Sequence, residues 1–312
     1  MIVRERPSGL TLFLVLRGSI LSRIWKVLLV NIAVALVVTG AHGTLFDQKI
    51  TLTPIPFTLI GLAFAIFLGF RNNTAYDRFW EGRKLWGQLV ASSRSLARQC
   101  LSLIDGALPA SPDRSVDVRT RMIHFAIGFS HALRQQLRGI DDPEALRGLL
   151  DAEEWQRFRA AANRPAFLLL RIGEDLHHCL KSGLIDGCRA AAIDSTLSAM
   201  TVAMTGCERI KNTPIPFSYT LLLHRTAYLY CFLLPFGLID TIGFMTPVVV
   251  AIVAYTFFGL DALGDEIEEP FGESPNDLPL NAICRAIEID LREALGEKDL
   301  PPALEPVDYL LM

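Results

Sequence analysis

The 312-residue chain predicts an all-α, polytopic membrane protein with four transmembrane helices and a helical cytoplasmic domain. Three observations lead there. Mean hydropathy is +0.34, with 51% hydrophobic and 20% charged residues, too apolar for an ordinary soluble domain. Uncharged runs of bilayer length recur along the chain. Charge is also zoned: residues 1–26 hold five basic side chains against one acid, residues 71–211 hold 20 basic and 16 acidic, and residues 261–312 hold three basic and 14 acidic. The net charge of −3 provides no broad basic field, so the expected partner is a lipid bilayer and not a nucleic acid.

Residues 1–26 read as a cytoplasmic N-terminal interfacial helix. The apolar run Leu10 to Leu16 is cut at Arg17 and lacks a small-x-small cleavage site, which argues against a signal peptide. Val27 to Phe46 is uncharged for twenty residues, enough to cross a hydrocarbon core of about 30 Å at about 1.5 Å per residue. Ile50 to Phe70 is uncharged for twenty-one, with Pro54 and Pro56 near its start, where a missing N–H costs a helix least. Residues 27–70 therefore supply transmembrane helices one and two. Residues 71–215 read as a helical cytoplasmic domain: Leu85, Leu89 and Leu96, then Ile123 and Ile127, follow helical spacing, with breaks at Asp105-Gly106, Pro109 to Pro112 and Asp141 to Pro143. Residues 216–260 supply helices three and four, roughly 216–239 and 243–260, with Asp240 to Gly243 as the turn. His224 and Arg225 fall near the inner end of helix three, where an Arg can snorkel or pair with a carboxylate. Residues 261–312 form an acidic cytoplasmic C-terminal segment. The loops at Lys49 and at the hairpin turn are poor in Lys and Arg, so both face out and both termini lie inside.

Six scattered cysteines form no C-x-x-C pair and read as reduced thiols. His177-His178-Cys179 project about 100° apart on a helix and are poorly placed to share a metal ion. Asp194-Ser195 with His124 or His131 lacks any nucleophile elbow, so neither an enzyme, a metal site nor a cofactor is expected.

In the second span Leu62, Ile66 and Phe70 recur at i, i+4, i+8 as an apolar stripe. Gly61, Ala65 and Gly69 form an adjacent stripe of small residues that lets helices approach closely at a pore. Ordinary bundle packing produces similar stripes. Beyond Phe70, Tyr76 with Trp80, Phe79 with Arg83, and Glu81 with Lys84 are spaced to stiffen a collar below the membrane.

Arg71 to Gly87, together with Arg17-Gly-Ser-Ile20, Pro214-Ile-Pro-Phe217 and Leu263 to Leu280, resembles the bestrophin family, specifically its bacterial members. The resemblance implies a homopentameric ion channel with its pore on the five-fold axis, set in the bacterial inner membrane. It places a hydrophobic neck at Leu62, Ile66 and Phe70, and a second, cytoplasmic aperture at Leu180, beside Leu184 and Ile185. Eukaryotic members carry a calcium-binding acidic run after the Pro-Phe-Gly block. Here Glu273 and Asp277 are separated by a proline and make no compact cage, while Asp265, Glu266, Glu268 and Glu269 are expected to cap or to pair with arginines. The expected permeant ions are monovalent, preferably cations such as sodium, because the tail carries −11 and because the ending at Glu273 to Leu280 resembles that of bacterial members, which implies cation conduction. An anion (chloride) channel of the same architecture, or a non-conducting scaffold or carrier, is the alternative.

Overall fold

The chain is almost wholly helical in the computed structural model, which describes residues 1–4, 9, 15, 18–45, 48–49, 52–106 and 117–312. In chain order the helices are α1 (Leu21–Gly40), α2 (Pro54–Leu103), α3 (Val118–Arg138), α4 (Ala152–Ala160), α5 (Arg164–Lys181), α6 (Gly187–Asn212), α7 (Phe217–Ile242), α8 (Thr246–Glu268) and α9 (Leu280–Ala294). Short 3-10 turns occupy Pro143–Leu149 and Gly243–Met245. Most of the expected N-terminal interfacial helix, and the break at Pro109 to Pro112, lie outside the described residues. The helices fall into two units. One comprises residues 4–79 and 214–270, and the other residues 1–3, 80–213 and 271–312.

In the first unit, Leu21–Gly40, part of Pro54–Leu103 and Phe217–Glu268 are long and apolar enough to cross a membrane. α1 begins six residues before the uncharged run, where the Ser19 hydroxyl accepts a hydrogen bond from the Leu21 N–H at 3.2 Å. It ends at Gly40 and not Phe46, because His42 and Gly43 turn into the left-handed region at φ 49° and 75°. A two-residue antiparallel ladder follows, Thr44 opposite Lys49. α2 starts at Pro54, as proline at a helix start predicts, and runs unbroken for 50 residues.

The expected turn at Asp240 to Gly243 is displaced. α7 continues through Asp240 to Ile242, and the chain reverses over Gly243–Met245, where Gly243 takes φ 55°. α8 then extends eight residues past Leu260. Pro247 near its start loses no hydrogen bond there. Around these helices a core forms from Ile24, Phe64, Leu68, Leu223, Ala227, Cys231, Ala254 and Phe258, with a satellite of Ala35, Leu234 and Val250. Glycines permit its closest approaches: a Cβ on Gly61 would lie 2.8 Å from the Tyr230 hydroxyl, and one on Gly237 2.6 Å from the Phe57 ring.

The second unit is built on capped helices. Asp117 caps α3, Asp151 caps α4, Asn163 caps α5 and Asp186 caps α6, each accepting a backbone N–H with its side chain. The two backbone N–H bonds to Asp186 hold its carboxyl below the ordinary range. Of the residues whose spacing predicts a buried face, Leu89, Leu96, Ile123 and Ile127 are fully buried and Leu85 is half-buried. α3 packs on α5 and α9. On the α9 side, Glu288 receives His131 at 3.3 Å and Arg292 at 2.9 Å, while Glu297 receives His124 at 2.9 Å and Arg292 at 2.7 Å. The bond from His131, then the Arg292 charge, hold the Glu288 carboxyl at about 2. His124 and His131, the histidines considered for a hydrolase constellation, thus meet Glu297 and Glu288.

Candidate pore-lining face

On α2 the buried side is Gly61, Phe64, Leu68, Arg71 and Ala75. At about 100° per residue these side chains average a direction roughly 180° from Leu62, Ile66 and Phe70. The apolar stripe accordingly faces away from its own unit, with exposures of 63%, 50% and 59%. Ile55 and Leu59, at 70% and 65%, continue the same face toward the helix start; the i, i+4, i+7 spacing already signalled them. Five large apolar residues lie along one open face, which in a membrane-spanning helix is covered by lipid, by a neighbouring chain or by a pore axis.

The small-residue stripe divides. Gly61 is consumed inside the chain by Tyr230, because i, i+4, i+8 positions drift around a straight helix and Gly61 lies nearest the buried side. Ala65 and Gly69 are exposed, and a Cβ on Gly69 would meet nothing within 4 Å. Only these two remain available to a neighbouring molecule.

One residue past Phe70 lies a charge cluster that sequence spacing did not reveal. Arg71 is 1% exposed; its guanidinium donates to Asp261 at 2.9 Å and to Asp265, with Glu268 at 3.5 Å. His224 Nδ1 lies 2.7 Å from the other Asp261 oxygen. It is therefore His224, and not Arg225, that meets a carboxylate near that end of α7. Arg78 donates to the Glu268 carbonyl at 3.1 Å, and Glu266 lies 3.7 Å from Arg23. The expected pairing of this acidic run with arginines is what the geometry gives. The expected Glu81–Lys84 pair is replaced by Glu81–Arg209 at 2.5 Å, since α6 brings a longer guanidinium to the same carboxylate. Tyr76 and Trp80 of the collar are exposed.

In the second unit Leu180 ends α5 at 42% exposure, whereas Ile185 is buried. His177 and His178 are exposed while Cys179 is buried, so the three do not converge on one point. Glu273 pairs with Arg138 at 3.4 Å, and Asp277 accepts the Ser274 N–H at 2.7 Å. Among the described residues at least eight of the 14 acids in residues 261–312 face basic side chains: Asp261, Asp265, Glu266, Glu268, Glu273, Glu288, Asp290 and Glu297. The tail's formal −11 is thus not an open negative field.

A family model described as bacterial/fungal bestrophin protein matches residues 1–293. The chain belongs to this bestrophin family. A voltage-dependent anion channel-forming protein of Mesorhizobium japonicum is 43% identical over 309 residues, 99% of this chain and 96% of the relative. The voltage-dependent anion channel-forming protein YneE of Escherichia coli is 41% identical over 306 residues, 98% of both. Among solved structures, a bacterial bestrophin homologue from Klebsiella pneumoniae superposes with a TM-score of 0.82 at 37% identity, covering 88% of this chain and all of that one. An ion channel fits a bestrophin chain with such apolar helices, and the family and these relatives carry no enzymatic name.

Proposed function

We propose that five copies of the chain form an ion channel in the bacterial inner membrane, with the stripe Leu62, Ile66 and Phe70 as stacked apolar rings at the neck. The observation that carries this is the direction of the stripe: large apolar side chains open on the side of α2 opposite the packed side, in a chain of the bestrophin family. Residues 27–70 and 216–260 cross the bilayer four times, residues 71–215 and 261–312 are cytoplasmic, and both termini lie inside, as the scarcity of Lys and Arg in the short loops favours. Leu180 forms the second constriction. Ions cross because the rings wet or relax, and no charge at the neck selects their sign.

For that sign the relatives' names favour anions, against the expected cation preference. The physical ground for that preference is weakened by the eight paired carboxylates. Purified protein in planar bilayers under a NaCl gradient tests both levels. Discrete current steps are expected, reversing near the chloride equilibrium potential. A reversal near the sodium potential would restore the cation assignment, and silent bilayers containing well-assembled protein would remove the channel reading.

A further inference from the structure

The charge cluster beside Phe70 is built around one shared carboxylate. Asp261 of α8 accepts from Arg71 of α2 with one oxygen and meets His224 of α7 with the other, so it joins three helices. Arg71 adjoins the last residue of the stripe, and Asn72 adds a bond from its amide to the Leu260 carbonyl at 3.0 Å. The Phe70 end of the stripe is thereby held by polar bonds to α8, with Tyr219 of α7 donating to the Phe67 carbonyl at 3.0 Å. His224 and Asp265 are the exposed members around Arg71, with side chains 47% and 50% exposed, and His224 is the one whose charge changes near neutral pH.

We propose that His224 is a positioning residue that reads proton concentration: its ionisation sets how firmly Asp261 holds Arg71 and hence the Phe70 end of the stripe. The inference rests on the channel reading above. Its groups are Arg71 and Arg78 on α2, Asp261, Asp265, Glu266 and Glu268 on α8, Arg23 on α1, and Tyr228, whose ring centre lies 4.5 Å from that of His224. Arg23 balances Glu266. The Arg71 guanidinium faces three carboxylates, Asp261, Asp265 and Glu268, so a protonated His224 adds a positive charge to a site rich in negative ones. Imidazole is the side chain that ionises between about pH 5 and 8. Protonation also turns the His224–Asp261 bond into a charge-assisted one. The junction stiffens, the rings keep their resting width, and less current passes.

The test is single-channel current of the purified full-length protein as the pH on the His224 side is lowered from about 8 to about 5.5, with oligomer mass checked at each pH. Wild-type current should fall about two- to fivefold, the span a partly exposed ion pair can shift an equilibrium. His224→Gln, which keeps a donor but cannot ionise, should flatten the profile, and His224→Lys should hold the low-pH current throughout. Hydrogen exchange of the α2 amides at 70–75, corrected for the intrinsic pH effect, gives a readout that needs no current. Wild type should be better protected at low pH, and His224→Gln equally protected at both. An unaltered pH profile in His224→Gln, or wild-type protection that does not change with pH, overturns the proposal. Absence of current with the exchange difference preserved would instead refute the channel reading and leave the His224 switch standing.

Discussion

At the scale of single residues, the position that depends most on having no side chain is Gly264. A Cβ there would collide with the Asn72 amide and lie 3.3 Å from the Arg71 guanidinium, two groups already fixed by bonds to α8. The Asn72 amide cannot retreat without losing its bond to the Leu260 carbonyl, nor the Arg71 guanidinium without leaving a buried charge poorly paired, which costs more than ordinary overpacking. Gly264→Ala should therefore destabilise the protein by about 1–3 kcal/mol, read as a lower melting temperature in detergent, while alanine at Gly40, where a Cβ meets nothing, should cost far less. Spacing placed Asp265, Glu266 and Glu268 near arginines, but it named no partners. A pair separated by 190 residues, such as Arg71 with Asp261, leaves no trace in local periodicity.

At the scale of elements, two junctions make separate predictions. The α3–α9 junction depends on Glu288, whose folded carboxyl titrates at about 2 in place of 4.5. A lowered acid pKa means the folded state binds fewer protons, so its stabilisation is complete above about pH 4.5 and is lost as pH falls toward about 2. The contribution is at most about 3 kcal/mol, and less where solvent screens the site. Melting curves between about pH 6 and 3 should show wild type losing more stability than Glu288→Gln, and parallel losses would mean the acid lability resides elsewhere. On α2, the apolar stripe predicts that Ile66→Ala raises single-channel conductance with assembly intact, because a wider ring admits water and lowers the cost of stripping an ion. Equal or smaller currents from well-assembled mutant would move the gate off this ring.

For the whole molecule, assembly and orientation are the open quantities, and the divided small-residue stripe sharpens the first. A Cβ at Gly69 meets nothing within 4 Å in its own chain, so a loss of oligomer mass in Gly69→Leu at an unchanged monomer melting temperature reports a contact between copies. Gly61→Leu would instead strike Tyr230 and disturb the chain's own packing. The mass of the proposed pentamer should fall for Gly69→Leu in native mass spectrometry, and an unchanged mass would place the subunit contact on another face. Orientation follows from charge: single cysteines at Thr44 and Thr241 in a Cys-free background should react with an impermeant thiol reagent on intact cells. Labelling only after the cells are opened would invert the proposed topology.

The sequence by itself determined that the chain is helical, that it carries bilayer-length apolar helices, and that Leu62, Ile66 and Phe70 share one face, since hydropathy and a 3.6-residue period act over a few turns. Its blocks Arg71 to Gly87 and Leu263 to Leu280 also disclosed the family. Only the tertiary structure decided which side of α2 that face occupies, that Gly61 belongs to internal packing, that the hairpin turns at Gly243–Met245, and that most of the acidic tail is spent on arginines and histidines. Those outcomes depend on which distant side chains arrive at the same place. A carboxylate's effect on a permeating ion is set by its nearest cation and its burial, and counting charges along the chain supplies neither.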